Sequence, residues 1–163
     1  MRRTVTAILG LAWTLLVVPA LAAPAWIVDE GASSISFVTG WDGAQFEGQF
    51  ADWGATIEFS PGALANAVID VRIDTASLSS GNGERDRGIR GEVWFNVMGF
   101  PSARFLSTSI AQGSEAGFVA VGELSIKGIR RPVVAPFSWS EEGGTNLRGE
   151  IVLDRRHFNI GEG

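Results

Sequence analysis

The chain has 163 residues, a formal charge of −5 and no cysteine, which excludes disulfides, thiolate metal sites and cysteine-linked lipid anchors. An acidic balance of this kind repels phosphate backbones and anionic membrane surfaces, so no nucleic acid is expected as a partner. Ten Phe and six Trp but no Tyr supply apolar area with few polar handles, which suits a cavity wall as well as a core.

The chain opens with Arg2 and Arg3, an uncharged apolar run over residues 5–18, and the small-x-small triplet Ala20-Leu21-Ala22. That order predicts a secretory signal peptide over residues 1–22, cleaved after Ala22, and hence a periplasmic address. The run is shorter than the roughly 20 residues of a membrane span, and the Arg2-Arg3 pair lacks the flanks of a twin-arginine signal. Residues 23–163 remain as one domain of 141 residues, with 11 basic against 18 acidic side chains and a formal charge of −7.

From there apolar and polar residues alternate with period two, the mark of half-buried strands. After Trp26-Ile27-Val28, residues 34–38 place Ile35 and Phe37 on one face, and residues 45–50 group Phe46, Gly48 and Phe50, with the glycine read as a bend. Residues 55–59 carry Ile57 and Phe59 together before Ser60-Pro61-Gly62 breaks the strand. Residues 67–74 set Ile69, Val71 and Ile73 against Asp70, Arg72 and Asp74. Residues 82–91 break the alternation: Asn82 caps a short polar helix, Glu84/Arg87 and Asp86/Arg90 stand at i,i+3 and i,i+4 spacing, and Gly91 ends it. An aromatic cluster follows, Val93-Trp94-Phe95 and Phe100-Pro101.

Alternation then resumes. Residues 103–110 put Phe105, Ser107 and Ser109 in phase, and residues 118–126 do so for Gly122, Leu124 and Ile126. Beyond the Lys127-Gly128 turn, residues 132–139 align Val133, Ala135, Phe137 and Trp139. A polar loop over 141–145 leads into a last strand over 147–154, with Ile151 and Leu153 paired. Eight strands with short turns and one helix predict an all-β fold, a single antiparallel eight-stranded lipocalin-like barrel. Strand parity selects Phe37, Phe46, Phe50, Val71, Ile73, Phe95, Phe105, Leu124, Phe137 and Phe158 as ligand-lining candidates, and a solid core fits the same alternation.

Catalytic and metal chemistry find little support. His157 is the only histidine and no Gly-x-Ser-x-Gly elbow or phosphate cradle accompanies it, so the chain reads as a non-enzyme. Neither His157 nor Met98, the only methionine beyond the leader, sits in a haem-attachment or helical ligand motif, and one His without Cys makes a poor metal site. Arg85, Asp86, Arg87 and Arg90 either guard the barrel mouth or form a solvated helix face. Arg155 is expected to pair at the rim with Asp154 or a backbone carbonyl.

In order and spacing, Trp26-Ile27-Val28-Asp29, Ser33-Ser34-Ile35-Ser36-Phe37, Phe46-Glu47-Gly48-Gln49-Phe50, Val71-Arg72-Ile73-Asp74, Arg85-Asp86, Trp94-Phe95, Phe100 to Phe105, Gly122-Glu123-Leu124, Gly128, Arg131-Pro132-Val133 and Asp154-Arg155 with Phe158 resemble the YceI-like family. The resemblance runs over essentially the whole of residues 23–163. It implies a periplasmic lipocalin-like barrel that holds a polyisoprenoid, such as a long-chain isoprenoid quinone or phenol, in an apolar tunnel for storage, transport or protection, with no covalent cofactor. The Arg-Asp helix, the Trp-Phe pair and the closing Gly161-Glu162-Gly163 resemble the branch found beside b-type cytochromes. A cytochrome-docking accessory in quinone-linked electron transfer is therefore the alternative, and a homodimer stays open as a further partner. Two departures stand out: Asn159 replaces a glycine after Phe158, and relatives continue past Gly161 with a Trp and at least one more strand. Either the last strand is missing from the chain or the N-terminal strand closes the barrel.

Overall fold

The computed structural model describes residues 22–41, 43–114 and 117–161, so the leader expected over residues 1–22 falls outside the described residues except for Ala22. Ten strands and one α-helix are described: β1 (Ala25–Trp26), β2 (Ile35–Trp41), β3 (Ala44–Phe50), β4 (Trp53–Glu58), β5 (Val68–Asp74), β6 (Leu78–Ser79), α1 (Gly83–Arg90), β7 (Ser102–Gln112), β8 (Phe118–Ile126), β9 (Ile129–Ser140) and β10 (Asn146–Gly149). The eight strands of four or more residues are the eight legible in the alternation. β1 and β6, of two residues each, are too short to show a period.

Every pairing is antiparallel. Seven strands form one sheet in the order β1-β4-β5-β7-β8-β9-β10, and β2-β3-β6 form a second. The two curl over a shared apolar interior as a half-barrel. β1 extends the large sheet beside β4, at the edge opposite β10, so the N-terminal strand does not close the barrel there.

Three buried clusters lie on the concave side. Phe59, Ile69, Ile110, Phe118, Ala120 and Phe137 make the first, where the Phe59 ring meets Phe118 edge-on at 4.9 Å. Ala103, Leu124, Ile126, Phe158 and Ile160 make the second, and Phe50, Leu78 and Ile89 the third. The helix belongs to the third through Ile89. Asn82 caps it as expected, its side chain accepting from the amides of Glu84 at 3.1 Å and Arg85 at 3.0 Å.

Three local expectations change, and the Asn159 departure finds its explanation. Gly48 is not a bend: it pairs with Phe37 across β2–β3, and the Phe37 ring lies over it, so a Cβ at Gly48 would stand 2.5 Å from Cζ. The glycine makes room for the aromatic. β7 carries a bulge between Ser107 and Ser109, so inward facing passes from Ser107 to Ile110, and Ser109 is exposed. β10 stops at Gly149 instead of running to residue 154, because its rung opposite Phe137 is followed by Pro136, which has no N–H for the next bond. Ile151 and Leu153 therefore lie outside any strand. Asn159 takes φ 52° and ψ 39° at the end of the 3-10 turn Arg155–Phe158, a left-handed position that Asn tolerates nearly as well as Gly.

Gly48→Ala is expected to cost about 1–3 kcal/mol in urea unfolding, the range of overpacking in a filled site. Adding Phe37→Leu to Gly48→Ala should recover part of that loss, since the two side chains compete for one space.

Candidate functional site

The ten candidate lining residues converge. Phe50, Leu124, Phe137 and Phe158 are buried, while Phe37, Phe46, Val71, Ile73, Phe95 and Phe105 are half-buried. Phe105 packs against the first and second clusters, and Ile73 and Phe95 against the second and third, so all ten share one continuous apolar surface. Their rings run as a chain of contacts: Phe46 to Phe37 at 6.3 Å, Phe37 to Phe50 at 5.3 Å, and Phe50 to Phe95 at 6.1 Å. The candidate selection left out Phe59, Ile69, Phe118, Trp94 and Trp139, which line the same side, although Ile69 shares the phase of Val71 and Trp139 that of Phe137. Trp94 lies in the turn-rich segment after α1, outside any alternation, and only its packing shows that it joins the same row.

A cleft of about 350 Å³ opens where the β7–β8 turn meets β10, lined by Gly113, Phe118, Phe137, Arg148 and Glu150 among others. Phe137 is the one candidate it includes. The cleft also takes in Val119, Pro136 and Ser138, which alternate with the inward-facing side chains of β8 and β9.

At the other extreme of the row stands helix α1, and its charges are arranged differently from the i,i+3 and i,i+4 pairs that the spacing suggested. Neither Glu84/Arg87 nor Asp86/Arg90 closes into an ion pair among the described residues. Asp86 is buried and accepts from the Ser80 amide at 2.9 Å and the Ser80 hydroxyl at 2.5 Å. Those two bonds, the hydroxyl first, hold the Asp86 carboxyl below the usual carboxylate range against the opposing effect of burial. Arg90 donates to the carbonyls of Ala76 and Leu78. Arg85 donates from Nε to Ser80 Oγ at 2.7 Å and from Nη2 to the Ser80 carbonyl at 2.7 Å. Its guanidinium carbon sits 4.2 Å from the centre of the Phe46 ring. Arg87 is exposed. The solvated-face reading thus holds for Arg87 and not for Asp86.

The second cluster is closed by cations on neutral oxygens. Arg155 donates from Nη1 to the Ile160 carbonyl at 2.9 Å and lies 4.9 Å from the Trp94 ring, and Lys127 donates to the carbonyls of Asn159 at 2.7 Å and Val93 at 3.3 Å. Asp154 pairs with Arg156 at 2.6 Å, not with Arg155, so of the two partners expected for Arg155 the carbonyl is the one found. His157 is exposed and Met98 is 93% exposed, far from forming an axial pair in the interior. No group of three His, Cys, Asp or Glu side chains suited to a metal occurs among the described residues.

Comparison with known proteins places these features in a wider set. Residues 26–163 match the model of the YceI-like domain. A UPF0312 protein of Shewanella denitrificans is 32% identical over 123 residues, covering 74% of this chain and 64% of that protein, and one of Pseudomonas savastanoi is 30% identical over 120 residues, covering 69% and 62%. The chain thus spans just under two thirds of the length of these relatives. The crystal structure of Burkholderia cenocepacia BcnA is similar with a TM-score of 0.80 at 29% identity, over 84% of this chain and 87% of that one. The Campylobacter jejuni YceI protein shares the fold with a TM-score of 0.63 at 20% identity, over 83% and 84%.

Asp86→Asn is expected to destabilise the fold by about 1.5–3 kcal/mol, the worth of hydrogen bonds to a buried charged group. Because the carboxyl pKa is depressed in the fold, its contribution is complete above the unfolded value near 4 and is lost as pH falls through the lower folded value. Urea midpoints measured between pH 6 and pH 2.5 should therefore fall less steeply for Asp86→Asn than for the parent chain.

Proposed function

Because the chain belongs to the YceI-like family, we propose that it is a non-enzymatic binding protein that holds an isoprenoid lipid or isoprenoid quinone along the apolar inner face of its half-barrel, in the periplasm. One observation carries this reading: six of the ten inward-facing candidates stay half-buried although each packs against a buried cluster. Side chains packed for a solid core reach near-complete burial, so partly uncovered rings in a continuous row favour a guest. Phe supplies this surface without a hydroxyl that would need a partner, which suits a hydrocarbon tail.

The energetics require no reacting group. If several isoprene units cover a few hundred Å² of apolar surface, transfer at about 25 cal/mol/Å² supplies roughly 5–10 kcal/mol before immobilisation is subtracted. Micromolar affinity needs about 8 kcal/mol net, so with an immobilisation cost of about 4 kcal/mol the tail has to cover about 500 Å². The elongated row from Phe46 through Phe50 and Phe95 to Phe105 suits a thin elongated tail better than a compact ligand.

Organic extraction of protein purified from a bacterial periplasm, followed by mass spectrometry, is expected to release an isoprenoid in near-stoichiometric amount. An empty extract together with no uptake of an added prenylquinone would sink the reading. Val71→Trp, which fills the middle of the inner face, should weaken prenylquinone binding about tenfold, roughly 1.4 kcal/mol, with the far-ultraviolet dichroism unchanged.

A further inference from the structure

We propose that Arg85, stacked on Phe46 and clamped by Ser80, is the polar-head subsite of this inner face, taking an oxygen acceptor at the end of an isoprenoid tail. The inference rests on the isoprenoid reading above and adds where the ligand's head lies and what recognises it.

The geometry separates Arg85 from the other helix arginines. Docking of α1 is secured without it: Ile89 is buried in the third cluster, Asp86 takes both donors of Ser80, and Arg90 bonds two carbonyls of the chain leading through β6. Arg85 instead lies over the ring at the outer end of the aromatic row, since Phe46 touches Phe37 and Phe37 touches Phe50. The side of its guanidinium bearing Nε and Nη2 is taken by Ser80. Nη1 has no protein acceptor among the described residues. Five N–H groups are fixed in one plane in arginine, and two of them held by Ser80 orient the rest without free rotation.

The electrostatics point the same way. Arg85 is held by a hydroxyl and a carbonyl, both formally neutral, and the carboxylate in its neighbourhood, Asp86, spends its shortest bonds on Ser80. Asp86 shares its field between Arg85 and Arg90 without bonding to either, and it fixes the serine that aims Arg85. A half-buried guanidinium beside apolar rings is poorly hydrated, and an oxygen delivered with a hydrocarbon tail costs it little water to accept. A phosphate oxygen and a quinone carbonyl share that chemistry.

The test uses the full chain and three probes with the same four-unit tail: geranylgeranyl diphosphate, menaquinone-4 and the corresponding hydrocarbon. The parent protein is expected to bind at least one of the two polar-headed probes ten or more times tighter than the hydrocarbon. Arg85→Gln should abolish that advantage and leave hydrocarbon affinity within twofold, whereas Arg87→Gln on the same helix should change none of the three. Arg85→Lys, which keeps the charge but not the fork, provides a second reading should the glutamine variant fold poorly, and it should lose most of the menaquinone advantage while keeping more of that for the diphosphate. The probe whose advantage disappears identifies the head. An advantage that survives both Arg85 substitutions places the head elsewhere and overturns the inference alone. A parent protein that binds none of the three overturns the isoprenoid reading and the inference with it.

Discussion

The two sheets of this half-barrel share no strand, and what holds the small one against the large one is a single apolar cluster. Phe50 from β3, Leu78 from β6 and Ile89 from α1 are its buried centre, and Ile73, Trp94 and Phe95 reach into it from the large sheet and the aromatic loop. Hydrogen bonds at the corners, Ala51 to Ser77 and Asp74 to Asp52, fix the crossing of the chain but not the face-to-face spacing. That spacing depends on side-chain volume. In the proposed binding role that spacing is also the width open to a guest.

Much of this was legible from residue alternation, because one buried face imposes period two on every long strand. The strand over residues 67–74 was read almost to the residue, as were Asn82 at the head of the helix and Gly91 at its end. What could not be read depends on the neighbouring strand. The bulge between Ser107 and Ser109 shows only against β8, and the early stop of β10 follows from Pro136 on β9, several residues away from the strand it ends. The ten lining candidates share one apolar surface, while their order along the row came from contacts such as Phe50 to Phe95, between residues 45 apart that no local pattern links.

The charges show a similar division. Spacing along a helix suggests partners on that helix, yet Asp86 and Arg90 both bond to the segment of residues 76–80 that precedes it. A buried carboxylate gains more from a serine that offers both its amide and its hydroxyl than from an exposed arginine screened by water. The recurrent partner of the cations here is a backbone carbonyl, for Arg85, Arg90, Lys127, Arg131 and Arg155 alike. Bonds of that kind staple loops to the barrel without cancelling positive charge. Asp70 with Arg104, joined by two bonds of 2.7 Å on the outer face of β5 and β7, is the contrasting case, where the charge is spent within the protein.

A concave face that stays partly uncovered is a stability cost, since each half-buried Phe forgoes part of the roughly 1.5–3 kcal/mol that full burial supplies. Collapse of the row onto itself would bury Phe37, Phe46 and Phe105 more completely, but Phe37 already rests on Gly48, and Phe105 is shared between two clusters that hold it from both sides. The rings are thus pinned by their backs while part of their surface stays open. A guest that covers them stabilises the folded chain by mass action, about 2.7 kcal/mol at a hundredfold excess over its dissociation constant. Packing that prevents the inner face from closing on itself is therefore the same packing that leaves binding energy available to a ligand.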